Sequence, residues 1–173
     1  VLLLKRGLYP VSQSVVIKAG GVVLKGEGSN VDETRLIATA KRKYALIKIS
    51  GAGIREEISG TRVSITDKFV PVGTHSFQVS CGEGFKPGDK IVVYRPGTQK
   101  WVHDIKMDQI EERKGTRQWT PQEYNLAFER EVTRVEGNRL FIDNPVVMQM
   151  DWKYGGGDVY KYKFDGRINE VGV

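Results

Sequence analysis

Most of the chemically distinctive side chains lie in two stretches of the chain. Trp101, His103, Asp104 and Trp119 fall in the irregular stretch GTQKWVHDIKMDQIEERKGTRQWTPQEY, and Trp152, Tyr154 and Tyr160 fall in DWKYGGGDVYKYKF. Indole and phenol rings suit sugar stacking: a flat aromatic face matches the apolar face of a pyranose, and the rim leaves the hydroxyls free to hydrogen-bond. Three consecutive glycines beside Trp152 permit close approach of a ligand to backbone. Trp101, His103, Trp119, Trp152 and Tyr154 are therefore the candidate ligand-binding residues, with core packing as the alternative use of the same rings. His103 and Asp104 have the chemistry of a general base and its orienting carboxylate. Adjacent residues do not generally face one another, however, and His75 is the only other imidazole. No catalytic residue is assigned.

Acidic residues are scattered without the spacing of a calcium loop, and no metal site is expected. Gly26-x-Gly28 and Gly51-x-Gly53 lack the third glycine and following helix of a nucleotide loop, and no cofactor is assigned. Cys81 is the only cysteine. It excludes an internal disulfide framework and reads as a small buried thiol. No apolar run approaches the length of a membrane span. The opening VLLLKRGLYP has no small-residue cleavage site after its basic pair, so it does not read as a signal peptide. Both ends run as strands, as in a piece of something longer.

The net charge of +6 is unevenly spread. Residues 1–70 hold 12 Lys and Arg against 6 Asp and Glu, whereas residues 71–173 hold 15 of each. Aromatic residues divide the other way, with only Tyr9, Tyr44 and Phe69 before position 70. Two compositions predict two units. Lys5, Arg6, Lys18, Lys25, Lys41, Arg42, Lys43 and Lys48 could form a basic stripe able to attract acidic polysaccharide or nucleic acid, or simply a solvated surface.

In the first unit, Leu2-Leu3-Leu4, Val15-Val16-Ile17, Val22-Val23-Leu24, Leu36-Ile37-Ala38, Leu46-Ile47 with Ile49, and Val63 with Ile65 are short apolar runs separated by corners of Gly, Ser, Asn and Lys. They read as strands, with no room for helices between them. Like positions recur at roughly 20 to 25 residues, as from Leu2 to Val22 and Val15 to Leu36, the scale of a solenoid coil. Stacked parallel strands are expected. In the second unit, HSFQVSCGEGFKPGDKIVVYRPG predicts one hairpin and LAFEREVTRVEGNRLFIDNPVVM another, turning at Glu136-Gly137-Asn138. Asp104–Glu112 is expected to form one or two helical turns. Thr120-Pro121-Gln122-Glu123 fits a capping box, but Tyr124, Leu126 and Phe128 alternate at period two, and a strand entering the second hairpin is the preferred reading.

The segments LLLKRGLYPVSQSVVIKAGGVVLKGEG and TRLIAT resemble the first coils of right-handed parallel β-helix proteins of the pectate-lyase-like, carbohydrate-active kind. DGRINEVGV resembles the point where coiling resumes after an insertion. The resemblance implies an all-β fold, the initial coils of a right-handed parallel β-helix interrupted by a small β-barrel-like insert. The implied domains are 1–68 (coils), 69–163 (insert) and 164–173 (return). It implies a secreted protein, extracellular or periplasmic, that binds polysaccharide, acidic ones included. Such families include lyases, glycoside hydrolases and phage tail-spike proteins, so cleavage, hydrolysis and binding alone stay open, as does a non-catalytic structural module. A nucleic-acid-binding domain is disfavoured, no membrane partner is expected, and exposed coil ends are expected to associate.

Overall fold

The computed structural model describes residues 1–173 and is almost wholly β, with one short α-helix and two 3₁₀ turns. No helix is long and apolar enough to cross a membrane. The chain divides into two compact units, one of Val1–Arg55 with Phe164–Val173 and one of Glu56–Lys163.

In the first unit β1 (Leu2–Leu4), β2 (Gly7–Val11) and β3 (Val15–Ile17) are followed by β4 (Leu24–Gly26), β5 (Thr34–Ala38) and β6 (Ile47–Ile49). Strands β1 and β4, β2 and β5, and β3 and β6 pair in parallel. The second pass of chain thus retraces the first, strand over strand. A third pass begins in the C-terminal segment, where Val23 bridges in parallel to Gly172 and Leu24 N donates to Gly172 O at 2.9 Å. The register corrects the fixed interval read from sequence: Leu2 lies opposite Leu24, and Val15 opposite Ile47. The corners after β4 and β5 are longer than those after β1 and β2, so the repeat lives in the pairing and not in a constant spacing.

Side chains stitch these corners to the strands. Thr34 Oγ1 donates toward the carbonyls of Leu4 (3.0 Å) and Lys5 (2.9 Å) and accepts from Glu27 N. Ser14 Oγ donates to Ala45 O at 2.7 Å and Tyr44 OH to Val11 O at 2.6 Å. Gly28 turns the corner after β4 at φ 98, where a Cβ would also strike the Glu33 carboxylate. Burial here is sparse: Ile17 and Leu24 are the only buried hydrophobics, while Leu2, Leu3, Val16, Ile37 and Ile49 stay exposed.

The second unit contains β7 (Glu56–Glu57), β8 (Val63–Ser64), β9 (Phe69–Val70), β10 (Ser76–Gln78), β11 (Lys90–Arg95), α1 (Gln99–Asp104), β12 (Leu126–Glu136), β13 (Arg139–Ile142), β14 (Met150–Asp151) and β15 (Asp158–Lys163). One antiparallel sheet runs β10-β13-β12-β11-β15-β7, with β8 also paired to β15. Beyond β8, Ile65 bridges to Val79, with Thr66 N on Gln78 O at 2.9 Å and Ser80 N on Ser64 O at 2.8 Å. The far side of the ladder is thereby tied back to the β10 side. Ile65, Val70, Phe77, Val79, Ile91, Val93, Val132, Leu140, Ile142, Val146, Met150 and Val159 form the core. Because β7 and β8 pair with β15, this unit begins at Glu56, ahead of the expected position 69.

Two further expectations are corrected. Strands β10 and β11 do not form a hairpin with each other; β10 pairs with β13, and β11 lies between β12 and β15. The long Cys81–Asp89 connection frees the two strands to find better partners, whereas the tight Glu136-Gly137-Asn138 turn does join β12 to β13. The helix occupies Gln99–Asp104 and not Asp104–Glu112. Thr98 caps its start by accepting from Trp101 N, and Lys106 (φ 61) leaves helical space just beyond its end. The Thr120 capping box opens a 3₁₀ turn, Pro121–Tyr124, so Tyr124 lies in the turn and the strand preferred from sequence begins only at Leu126.

Candidate functional site

The second unit holds all five candidate residues, but the fold separates them into three settings. Trp101 leaves α1 on one face to meet Trp119 and Tyr124, with ring centroids 6.2 and 6.1 Å away, and Trp119 stacks on Tyr124 at 3.8 Å with a 15° interplanar angle. The Arg95 guanidinium lies over the Trp101 ring at 4.3 Å. Arg95 is only 4% exposed and its Nη1 has no hydrogen-bond partner. Burial pulls its pKa down from the ordinary guanidinium value. The rings thus cover one another and a buried cation. Trp101 and Trp119 serve as a small core beneath the long loop, which disfavours them as a free stacking platform.

His103 leaves α1 in another direction. Its Nδ1 is 3.0 Å from Asp108 Oδ2, which also accepts from Gln99 Nε2 at 3.1 Å. The carboxylate facing His103 is therefore Asp108, five residues on, rather than its neighbour Asp104. His75 sits elsewhere, its Nδ1 3.3 Å from the Ile142 carbonyl. No nucleophile joins the dyad, and no group of three or more His, Cys, Asp or Glu gathers anywhere as a metal site would require. Cys81 is exposed, contrary to the buried thiol expected, because it lies in the open loop after β10.

The third setting is built by the segment around the three glycines. Asp151 Oδ1 accepts from Lys153 N at 2.8 Å and caps the 3₁₀ turn Trp152–Tyr154, which Gly155 ends at φ 93. The turn holds Trp152 by its backbone, N to Lys68 O at 3.0 Å, and leaves the indole at the surface with the residue 58% exposed. Gly157 packs so closely that a Cβ there would sit 2.5 Å from Met150 Sδ and 2.9 Å from Tyr94 O. Trp152, Gly155, Gly156, Gly157 and Asp158 form one wall of an open depression of about 280 Å³, and Ser64, Ile65 and Thr66 form the other. Ile65 points into the core while Ser64 and Thr66 are exposed on either side of it, the alternation expected of an antiparallel strand.

Charged groups around this segment are paired. Lys153 Nζ and Tyr154 OH both bond Asp104 Oδ2, at 2.9 and 3.0 Å, and Lys100 approaches the same oxygen at 3.7 Å. The Lys153 bond, helped by Tyr154, holds the Asp104 carboxyl at about 2, and Asp104 in turn raises the Lys153 pKa. Tyr154 is thus an anchor between the 3₁₀ turn and α1. On the other side, Arg62 bonds Glu57 and places Nη1 3.2 Å from Asp158 Oδ2, with its guanidinium 4.2 Å over the Tyr160 ring. Tyr160 is buried and lies outside the depression.

Of the candidate aromatic residues, Trp152 is the one left mostly exposed beside a depression, with its Nε1 3.5 Å from Ile65 O and a ring edge close to Gly156. Ser64, Thr66 and Asp158 were not singled out from sequence. The period-two Ser-Ile-Thr pattern is the local signal they carry, but their meeting with Trp152 depends on a long-range β8–β15 pairing.

The basic stripe of the first unit is partly neutralised. Lys5 Nζ bonds Glu27 Oε1 at 2.8 Å and Arg6 lies 3.6 Å from Glu33. Lys18, Lys25, Lys41, Lys43 and Lys48 are exposed.

No protein-family model and no curated protein matches the chain. Among solved structures it is similar to three phage tailspikes. With gp54 of Acinetobacter baumannii bacteriophage AP22, determined in complex with A. baumannii capsular saccharide, the identity is 15% and the TM-score 0.42, over 97% of this chain and 22% of that one. With gp49 of Pseudomonas phage LKA1 the values are 15% and 0.36, over 92% and 21%. With gp61 of Pseudomonas phage phi297 they are 16% and 0.39, over 97% and 25%. The chain spans about a fifth to a quarter of the length of these proteins.

Proposed function

We propose that this chain is a carbohydrate-binding part of a β-helix protein: the first unit supplies initial coils of a right-handed parallel β-helix, the second a barrel-like insert, and the Trp152 depression takes a sugar residue of a polysaccharide. The observation that carries the reading is an exposed indole at the wall of a depression whose remaining walls are glycine backbone, two hydroxyl side chains and a carboxylate. That combination offers an apolar plate for the face of a pyranose and hydrogen-bonding groups for its edge. The parallel ladders support the coil, and the ladder tied back at Ile65 and Val79 supports the barrel-like insert. An extracellular or periplasmic setting follows from the partner. The His103–Asp108 pair has no nucleophile or second carboxylate beside it, and binding without turnover by this chain is the expected behaviour.

The test is retention on immobilised glycan at high salt. Stacking survives as the Debye length falls from about 10 Å at 0.1 M to about 3 Å at 1 M, whereas attraction to exposed lysines does not. Trp152→Ala is expected to cost on the order of 1 kcal/mol, about tenfold in affinity, with little change in thermal stability. Trp101→Ala should instead lower stability, since its ring covers Arg95 and packs on Trp119 and Tyr124. Binding that vanishes with salt, tolerates Trp152→Ala and extends equally to DNA would assign the activity to the basic first unit and end this reading.

A further inference from the structure

The side chains that line the Trp152 depression include one ionisable group, Asp158, and no cation. Two of the basic residues nearest in sequence are engaged, and a third, Lys68, two residues past Thr66 with its carbonyl accepting from Trp152 N, is exposed and lies outside the lining. Arg62 is held between Glu57 and Asp158 and lies over two tyrosine rings. Lys153 is held by Asp104 and Tyr154. The second unit as a whole supplies no compensating field, because the 27 Lys and Arg and 21 Asp and Glu of the chain divide so that Glu56–Lys163 carries 16 of each. Arg62 engages Oδ2 of Asp158, and Oδ1 keeps its capacity to accept. A carboxylate with an open oxygen is a good acceptor for sugar hydroxyls, with charge-assisted bonds stronger than neutral ones. The same carboxylate repels a second one brought beside it.

Resting on the carbohydrate-binding reading, we infer that the depression selects a neutral pyranose over a uronate or other acidic sugar, with Asp158 accepting from ring hydroxyls while Trp152 stacks on the ring face. Specificity here comes from what is denied to the wrong ligand as much as from what is offered to the right one. An acidic sugar would meet Asp158 with no cation in the lining to bridge the two.

The experiment compares matched panels of neutral hexose oligomers (gluco-, manno- and galacto-configured) and oligouronates, titrated against the full chain by calorimetry at 0.05 M and 1 M salt. The expected result is at least tenfold preference for a neutral oligomer at low salt, narrowing at high salt as the repulsion is screened. Asp158→Asn should weaken the neutral oligomer by about threefold to tenfold. It should also improve uronate binding, because it removes the repelling charge and relieves Arg62 of one carboxylate. Equal or tighter uronate binding by the wild-type chain, still lost on Trp152→Ala, would overturn the inference while leaving the carbohydrate site standing. No binding of either panel at millimolar concentration, or binding indifferent to Trp152→Ala, would overturn both. The wild-type comparison decides even where Asp158→Asn does not fold, and Ser64→Ala, at an exposed wall position, gives a second variant expected to weaken the neutral oligomer alone.

Discussion

The two units reach β structure by opposite routes. The first pairs its strands in parallel over long corners, carries the whole net charge and three of the sixteen aromatic residues, and buries only Ile17 and Leu24 among its hydrophobics. The second pairs its strands antiparallel, is electrically neutral, and encloses a core with many side chains at or near zero exposure. Two passes of parallel strands have few neighbours to bury apolar side chains against, and Leu2, Leu3, Val16, Ile37 and Ile49 stay exposed. The antiparallel ladder of the second unit, with Ile65 bridged to Val79, buries its own apolar face. The difference teaches where substitutions will be felt and where a ligand can be held rigidly: in the second unit.

The strongest way to break this comparison is through the core. Phe77→Ala, at a position with no exposure, is expected to cost about 3–5 kcal/mol in urea unfolding, whereas Leu2→Ala, at 59% exposure, should cost about 0.5 kcal/mol. Equal losses would mean that the first unit is as tightly cored as the second. Next comes Gly157→Ala, whose methyl would meet Met150 and Tyr94. A loss of about 2–3 kcal/mol is expected, together with weakened glycan binding as the wall of the depression shifts. Arg95→Met keeps an apolar stem against Trp101 and removes an isolated buried charge, so melting should show equal or higher stability, by on the order of 1 kcal/mol.

The smallest effect is electrostatic and sharpens the comparison site by site. A carboxyl depressed to about 2 gives its contribution fully above the ordinary carboxylate range, and loses it as pH falls through about 2. A carboxyl-resolved NMR titration should find Asp104 still ionised at pH 3, and Lys153→Met should return its midpoint toward the usual range. Glu27 in the first unit is also lowered, chiefly by its hydrogen bond from Lys5, and Lys5→Met should raise it in the same way. An unmoved midpoint in either variant would remove that ion pair from the account.

The strand content of the first unit was legible because short apolar runs such as Val15–Ile17 are bounded by glycine and polar corners. DGRINEVGV contributes a single parallel bridge to that unit, Gly172 to Val23. The register was not: nothing in the local pattern says how much chain a corner will take up, and the corners after β4 and β5 lengthen the repeat. The β12–β13 hairpin could be read from its tight turn. The partners of β10 and β11 could not, since a strand's local pattern does not identify which distant strand it meets. At the site, the three glycines already marked the Trp152 run as the better ligand candidate, while the packing of Trp101 and Trp119 against Arg95 and Tyr124 had no local signal. Asp158 and Ser64 meet only through β15 and β8, about ninety residues apart, so sequence spacing carries no trace of the depression.

Glu56 and Lys163, the first and last residues of the second unit, are paired across β7 and β15. In the first unit Ala52 N donates to Gly166 O at 2.9 Å, so the strands leading to and from the interruption are also side by side there. Closing either zipper shortens the connection that the other must close. If the second unit forms first, the connection that the first unit must close shrinks from roughly a hundred residues to a handful, which lowers the closure cost by about 3 kcal/mol. Each unit then gains part of its stability from the closure of the other, because bringing the two connecting segments together helps both alike.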